Sequence, residues 1–190
     1  MSGGVGSVRP PAIPFVEFWL KKYAQAEFVL LDIGCGVAQY RNTTPATYIG
    51  LDITDQDYRD GCSRDVDIVA SATQMPLAIA SCDLIFSVCA FYQIPDYMKA
   101  LMEFHRVLKP GGRILLFDYN KRTQKVLQRT EGHQRPCWSQ WGLKKLVSRS
   151  GFRECQLLLP ANYEVNGMRK AAQLIKQELR GQWAIVTGIK

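Results

Sequence analysis

Two aspartates, Asp32 and Asp52, stand twenty residues apart near the start of the chain, and between them lies Gly34-Cys35-Gly36. Glycines at such a turn let the backbone bend sharply and lie against a ligand with no side chain in the way. An acid about 20 residues past a glycine turn is placed to accept hydrogen bonds from ribose hydroxyls. Together these residues point to a bound nucleoside. The other chemistry-bearing types are scattered. Six cysteines, Cys35, Cys62, Cys82, Cys89, Cys137 and Cys155, form no C-x-x-C pair, and the only histidines are His105 and His133. Closely paired soft ligands are what a zinc site wants, so no metal is expected. Unpaired cysteines among apolar runs suit reduced thiols in a cytoplasmic protein.

Short apolar runs must position these residues. EFVLLDIGCG, TYIGLDI, VDIVA, CDLIFSV, GRILLFD, FRECQLLL and QWAIVTGI have the length and β-branched content of strands buried on both faces of a parallel sheet. Between the fourth and fifth runs, Met98, Leu101, Met102, Val107 and Leu108 follow helical spacing, ended by Pro110-Gly111-Gly112. A second helix is predicted over 139–152, and Pro14 opens an amphipathic one ahead of the first strand. Strands alternating with helices predict an α/β fold, a Rossmann-like doubly wound sheet of seven strands, mostly parallel with an antiparallel last strand. Its 190 residues fit one domain over 14–190, with a flexible lead-in over 1–13 and a helical insert at about 160–181. No apolar run is long enough for a membrane span. In such sheets ligands sit beyond the carboxyl ends of the strands.

DIGCG, LDI, SATQMP, CDLIFS and RVLKPGG, in this order and spacing, resemble the class I S-adenosylmethionine-dependent methyltransferases, in particular those of type 11. RVLKPGG is the most specific element. The resemblance implies an enzyme that takes S-adenosylmethionine and releases S-adenosylhomocysteine. It implies that Gly34, Cys35 and Gly36 lie beneath the methionine and ribose portions, that Asp32 anchors the turn, and that Asp52 binds both ribose hydroxyls. Ile53 would pack on the adenine. Ser71-Ala72 stand where the family usually has Asp-Ala at the adenine amino group, and Ser87 ends the fourth strand beside the methionine part. Three departures stand out: Ser71 itself, Ala38 at the usual third glycine, and Tyr92-Gln93 where many members have Glu-His. The helix after the glycine turn must be short, since Thr43-Thr44-Pro45 interrupts it.

Methyl transfer from a sulfonium is an in-line displacement, so orientation and exclusion of water matter most, and a base is needed only for some acceptors. His133 and Tyr92 are the candidates for catalysis; His105 is assigned to packing and Cys89 to a buried, inert thiol. Trp138 and Trp141 are read as packing anchors that could alternatively close over an acceptor. The charge is lopsided: residues 1–98 carry 6 Lys/Arg against 11 Asp/Glu, and residues 99–190 carry 18 against 6. Lys121, Arg122, Arg129, His133, Arg135, Arg169, Lys170 and Lys176 would draw an anionic small-molecule acceptor if they converge on the pocket mouth; the plainer reading, which comes first, is that they decorate the solvated faces of the late helices. The alternatives are an RNA or protein methyltransferase docking through this basic half, with nucleic acid less favoured, or a non-catalytic module that keeps the cofactor fold. The sequence leaves the oligomeric state open.

Overall fold

The computed structural model describes residues 13–56, 63–121, 123–125, 138–158 and 183–190. Its seven strands form one sheet: β1 (Val29–Ile33), β2 (Thr47–Asp52), β3 (Ile68–Val69), β4 (Cys82–Val88), β5 (Leu108–Tyr119), β6 (Arg153–Leu157) and β7 (Trp183–Ile189), in the order β3-β2-β1-β4-β5-β7-β6. The neighbours from β3 to β5 pair in parallel, and β7 runs antiparallel between β5 and β6. The expected fold class is therefore the one observed. The strand order reverses between β1 and β4, which is where a doubly wound sheet opens a crevice for a ligand.

Helices cover both faces. On α1 (Ile13–Tyr23), Phe15, Val16, Trp19 and Leu20 form one buried stripe against Phe86 and Phe117 of the sheet. On the other face, α2 (Tyr97–Val107) buries Ala100, Leu101, Phe104 and Val107, and α3 (Gln140–Arg149) buries Leu143 and Val147. Each of these two helices starts at a side-chain cap: Asp96 accepts from the Lys99 N–H at 3.1 Å and Ser139 from the Gly142 N–H at 3.0 Å.

Three sequence expectations shift. The helix expected after the glycine turn is absent; three successive turns, Ala38 N–H to Cys35 O, Arg41 N–H to Ala38 O and Thr43 N–H to Tyr40 O, take its place. Ala38 has φ +48°, a left-handed conformation that no continuing helix can contain. The helix before RVLKPGG ends at Val107, ahead of its proline, and Lys109-Pro110-Gly111-Gly112 already belongs to β5. The glycine there is steric: a Cβ on Gly112 would meet Lys109 O at 2.9 Å and Asp83 O at 3.1 Å. Lys109 pairs with Asp83 at 2.8 Å, and Asp83 also accepts from the Val29 N–H. The most specific sequence element thus ties the amino ends of β1, β4 and β5 together, at the far end from the crevice. Finally, Ile13 already belongs to α1; residues 1–12 and the expected insert lie outside the described residues.

Candidate functional site

The carboxyl end of β1 turns through Gly34 (φ +74°) and Gly36 (φ +55°). Gly34 and Cys35 donate their N–H groups to Leu51 O at 2.7 and 3.2 Å, and Gly36 donates to Asp52 Oδ2 at 3.0 Å. The turn is therefore fastened to the end of β2. It also passes close to β4: a Cβ on Gly34 would stand 2.3 Å from the Ala90 Cβ. Beyond this contact opens a cavity of about 480 Å³, within the range of small-molecule sites.

Seven of the residues that the sequence assigns to the cofactor share its wall: Gly34, Cys35, Gly36, Asp52, Ile53, Ser71 and Ala72. Ile53 is 67% exposed, an apolar side chain presented at the wall. The Ser71 hydroxyl lies 2.8 Å from Thr73 Oγ1 and accepts from the Thr73 N–H at 3.2 Å, so it holds its own turn together. Cys35 is an unreactive thiol: burial, with the nearby aspartates, pushes it up to about 12.

Three singled-out residues stand off the cavity wall. Asp32 is buried and accepts a hydrogen bond from the Tyr48 hydroxyl at 2.6 Å; its side chain braces β2, and the turn's amides are held by Leu51 and Asp52 instead. Burial above all, joined by the Asp52 charge, pushes its carboxyl up to about 7. Ser87 donates to Ile33 O at 3.0 Å and lies behind the wall, which β4 forms with Val88, Cys89 and Ala90. The Tyr92 ring is turned into the core, edge-on to Tyr119 at 5.4 Å, and Gln93 takes the place on the wall. The reason is the short 3-10 turn Phe91–Gln93, which points consecutive side chains in different directions.

His133 lies outside the described residues, as do Arg122, Arg129, Arg135, Arg169, Lys170 and Lys176; of that basic set Lys121 alone is described, and it is exposed. His105 packs edge-on to Phe152 at 5.3 Å. Trp138 stacks on Phe91 at 5.4 Å, whereas Trp141 is exposed. Among the described residues no three His, Cys, Asp or Glu side chains gather as metal ligands, and no helix is long and apolar enough to cross a membrane.

Further residues complete the site. Cys89 lines the cavity in a left-handed conformation, φ +56°, and its thiol is pushed up by burial and by Asp118. Gln93 Nε2 donates to Cys89 O at 3.0 Å, bracing that bend. Asp118, at the end of β5, is buried; Oδ1 accepts from the Tyr119 N–H at 2.8 Å, the Tyr92 amide also faces the carboxyl, and among the described residues Oδ2 has no hydrogen-bond partner. Arg64 lines the cavity and pairs with Asp52 at 2.9 Å. Its only sequence signal is an arginine among acids just ahead of the third strand.

Residues 31–116, from β1 into β5, match the family profile described as "Methyltransferase domain". Over this stretch, just under half of its length, the chain is similar to the S-adenosylmethionine-dependent methyltransferases. A malonyl-[acyl-carrier protein] O-methyltransferase of Coxiella burnetii is 37% identical over 91 residues, 47% of this chain and 32% of that protein. The chain thus spans about a third of that relative's length. Methyltransferases of known structure share the fold. Phosphoethanolamine N-methyltransferase 2 of Haemonchus contortus, solved with phosphomonomethylethanolamine and S-adenosylhomocysteine, superposes with a TM-score of 0.68 at 16% identity, covering 98% of this chain and 55% of that one. A methyltransferase solved with the Trm112 activator of Haloferax volcanii gives 0.67 at 18%, covering 93% and 88%. Within the methyltransferase domain, the matched stretch contains the whole glycine turn, Asp52, Ser71-Ala72 and the β4 end, so the family match and the cavity coincide.

Proposed function

We propose that this chain binds S-adenosylmethionine in the cavity at the β1–β4 switch point and transfers its methyl group to a small organic acceptor. The observation that carries the reading is the shared wall: the Gly34-Cys35-Gly36 turn, Asp52, the exposed Ile53 and Ser71-Ala72 all border one cavity of about 480 Å³. These residues fit the parts of that cofactor. The bare turn admits the backbone-like methionine portion, Asp52 offers an acceptor to the ribose, and Ile53 offers a flat apolar surface to the adenine.

When bound, the cofactor supplies a sulfonium-activated methyl group. The chain's own part is to orient and to exclude water. Gly34 limits the depth of the site by its close approach to Ala90, and Val88, Cys89 and Ala90 line the cavity beside it. Cys35 and Cys89 stay protonated, which keeps two potential nucleophiles from taking the methyl group themselves.

Support for a small organic acceptor comes from the names of relatives, which act on malonyl-[acyl-carrier protein], 27-O-demethylrifamycin SV and demethylmenaquinone. An anionic acceptor is favoured by the basic second half of the chain, 18 Lys/Arg against 6 Asp/Glu over residues 99–190. The test is calorimetric titration with S-adenosylhomocysteine, followed by incubation with labelled S-adenosylmethionine and a panel of carboxylate, phosphorylated and neutral acceptors. One-to-one binding and label transfer favouring the anionic members are expected. Absence of cofactor binding overturns the reading, and transfer to neutral acceptors alone overturns its anionic part.

A further inference from the structure

We propose that Arg64 is a second ribose-recognition residue, donating to one hydroxyl of the cofactor while Asp52 accepts from the other. This rests on the cofactor reading above and adds a residue and a specificity to it. The argument is a count of acceptor sites. An ionised carboxylate has about four. At Asp52 the described residues fill three: Oδ1 accepts from the Ile53 N–H at 2.7 Å, and Oδ2 accepts from the Gly36 N–H at 3.0 Å and from Arg64 Nη1 at 2.9 Å. One site is left, on Oδ1. A ribose brings two adjacent hydroxyls, each both donor and acceptor. The first donates to Oδ1. The second reaches the Oδ2 side, where the acceptor sites are occupied and a guanidinium borders the cavity. It therefore meets a donor, and its own oxygen accepts.

The guanidinium is held for this. The Arg64 and Asp52 side chains keep only 15% and 11% of their exposure, so a hydrogen bond from Arg64 is charge-assisted and poorly screened. Arg64 Nε donates to Gln56 O at 2.9 Å, fixing the approach of the side chain. The backbone that carries it is fastened to the glycine turn, since the Asp65 N–H donates to Gly36 O at 2.9 Å. Arg41 clamps the same segment, with Nε and Nη2 on the Asp65 carboxylate at 2.8 and 2.9 Å and Nη1 on Asp67 at 3.0 Å. The competing role is that of a counter-ion which merely steadies Asp52.

The two roles separate on ribose analogues. Calorimetric affinities of the wild type, Arg64→Gln and Arg64→Lys would be measured for S-adenosylhomocysteine and for its 2′-deoxy and 3′-deoxy analogues. A direct donor predicts that the wild type prefers the parent over each analogue by about 10-fold, the scale of one good hydrogen bond. In Arg64→Gln the preference against one analogue is expected to collapse to within about 3-fold while the other persists, with Arg64→Lys in between. Equal weakening of all three ligands would leave only the counter-ion role and overturn the proposal. If Arg64→Gln does not fold, Arg64→Lys decides by itself: an unchanged preference pattern overturns the proposal too. A wild type that binds none of the three ligands overturns the cofactor reading itself, a result distinct from either.

Discussion

Asp52 fastens the glycine turn as well as facing the cavity, because the Gly36 N–H, the Ile53 N–H and Arg64 all converge on its carboxylate. Asp52→Ala removes these contacts and the ribose acceptor together. Its affinity for S-adenosylhomocysteine is expected to fall by about 1–3 kcal/mol, the cost of leaving buried polar partners unmatched. Calorimetry reads this directly, and an unchanged affinity would remove the residue from the site. A pH effect belongs to two other carboxyls. Burial pushes Asp118 up to about 8 and Asp32 up to about 7. Unfolded, both titrate near 3.9. The folded chain then holds more protons than the unfolded one from about pH 4 to pH 8, so stability is fullest below that window and falls as pH rises through it. Asp118→Asn cannot ionise. Its stability is expected to decline less steeply between pH 5 and pH 8, by up to about 1.4 kcal/mol per pH unit, in urea unfolding at a series of pH values. Parallel curves for the variant and the wild type would count against an ionisation at Asp118 within that range.

At the level of elements, the closest approach in the site is between the β1 turn and the β4 end. Gly34→Ala places a methyl group 2.3 Å from the Ala90 Cβ and forces a side chain onto φ +74°. A stability loss of about 2–4 kcal/mol is expected, combining overpacking with left-handed backbone strain. In the double variant Gly34→Ala/Ala90→Gly the steric part vanishes and the strain remains, so recovery should be partial; no recovery would mean that the two turns do not meet. The same elements show what was readable in the chain beforehand. The apolar runs announced seven strands, because strands covered on both faces need continuous apolar sequence. The spacing from the glycine turn to Asp52 announced a wall of the cavity, because both residues end adjacent parallel strands, Asp32 beside Gly50 and Ile33 beside Leu51. What stayed hidden depends on backbone angles or on distant partners. Left-handed conformations at Ala38 and Cys89 leave no mark in residue type, and they removed one helix and bent the β4 end. Tyr92 carried the right chemistry for a site, yet its ring found Tyr119 and the core. Arg64 follows no spacing rule, since it reaches Asp52 across a loop.

For the molecule as a whole, the sheet depends on a strand that arrives last in the chain and lies inside it. Strand β7 separates β5 from β6, pairs with both, and buries every residue from Trp183 to Thr187. The site lies at the other side of β5, where Phe117 pairs with Val88 and accepts from the Cys89 N–H at 2.8 Å. Lys190 closes the far end, with its N–H on Gly112 O at 2.9 Å and Nζ on Leu108 O at 2.6 Å, which bonds it to the RVLKPGG element. A chain ending at residue 182 would expose one whole edge of β5 and leave β6 without its partner strand. Hydrogen bonds that were internal would then face water, and the apolar surface of Ala184, Ile185 and Val186 would be missing from both cores. Since net stability is only about 5–15 kcal/mol, that loss exceeds what the remaining sheet can absorb. The truncated chain is expected to show no cooperative thermal transition and no binding of S-adenosylhomocysteine, although every residue assigned to the cavity is still present. Retention of a sharp transition with intact binding would show that β1 to β5 fold and hold the site by themselves.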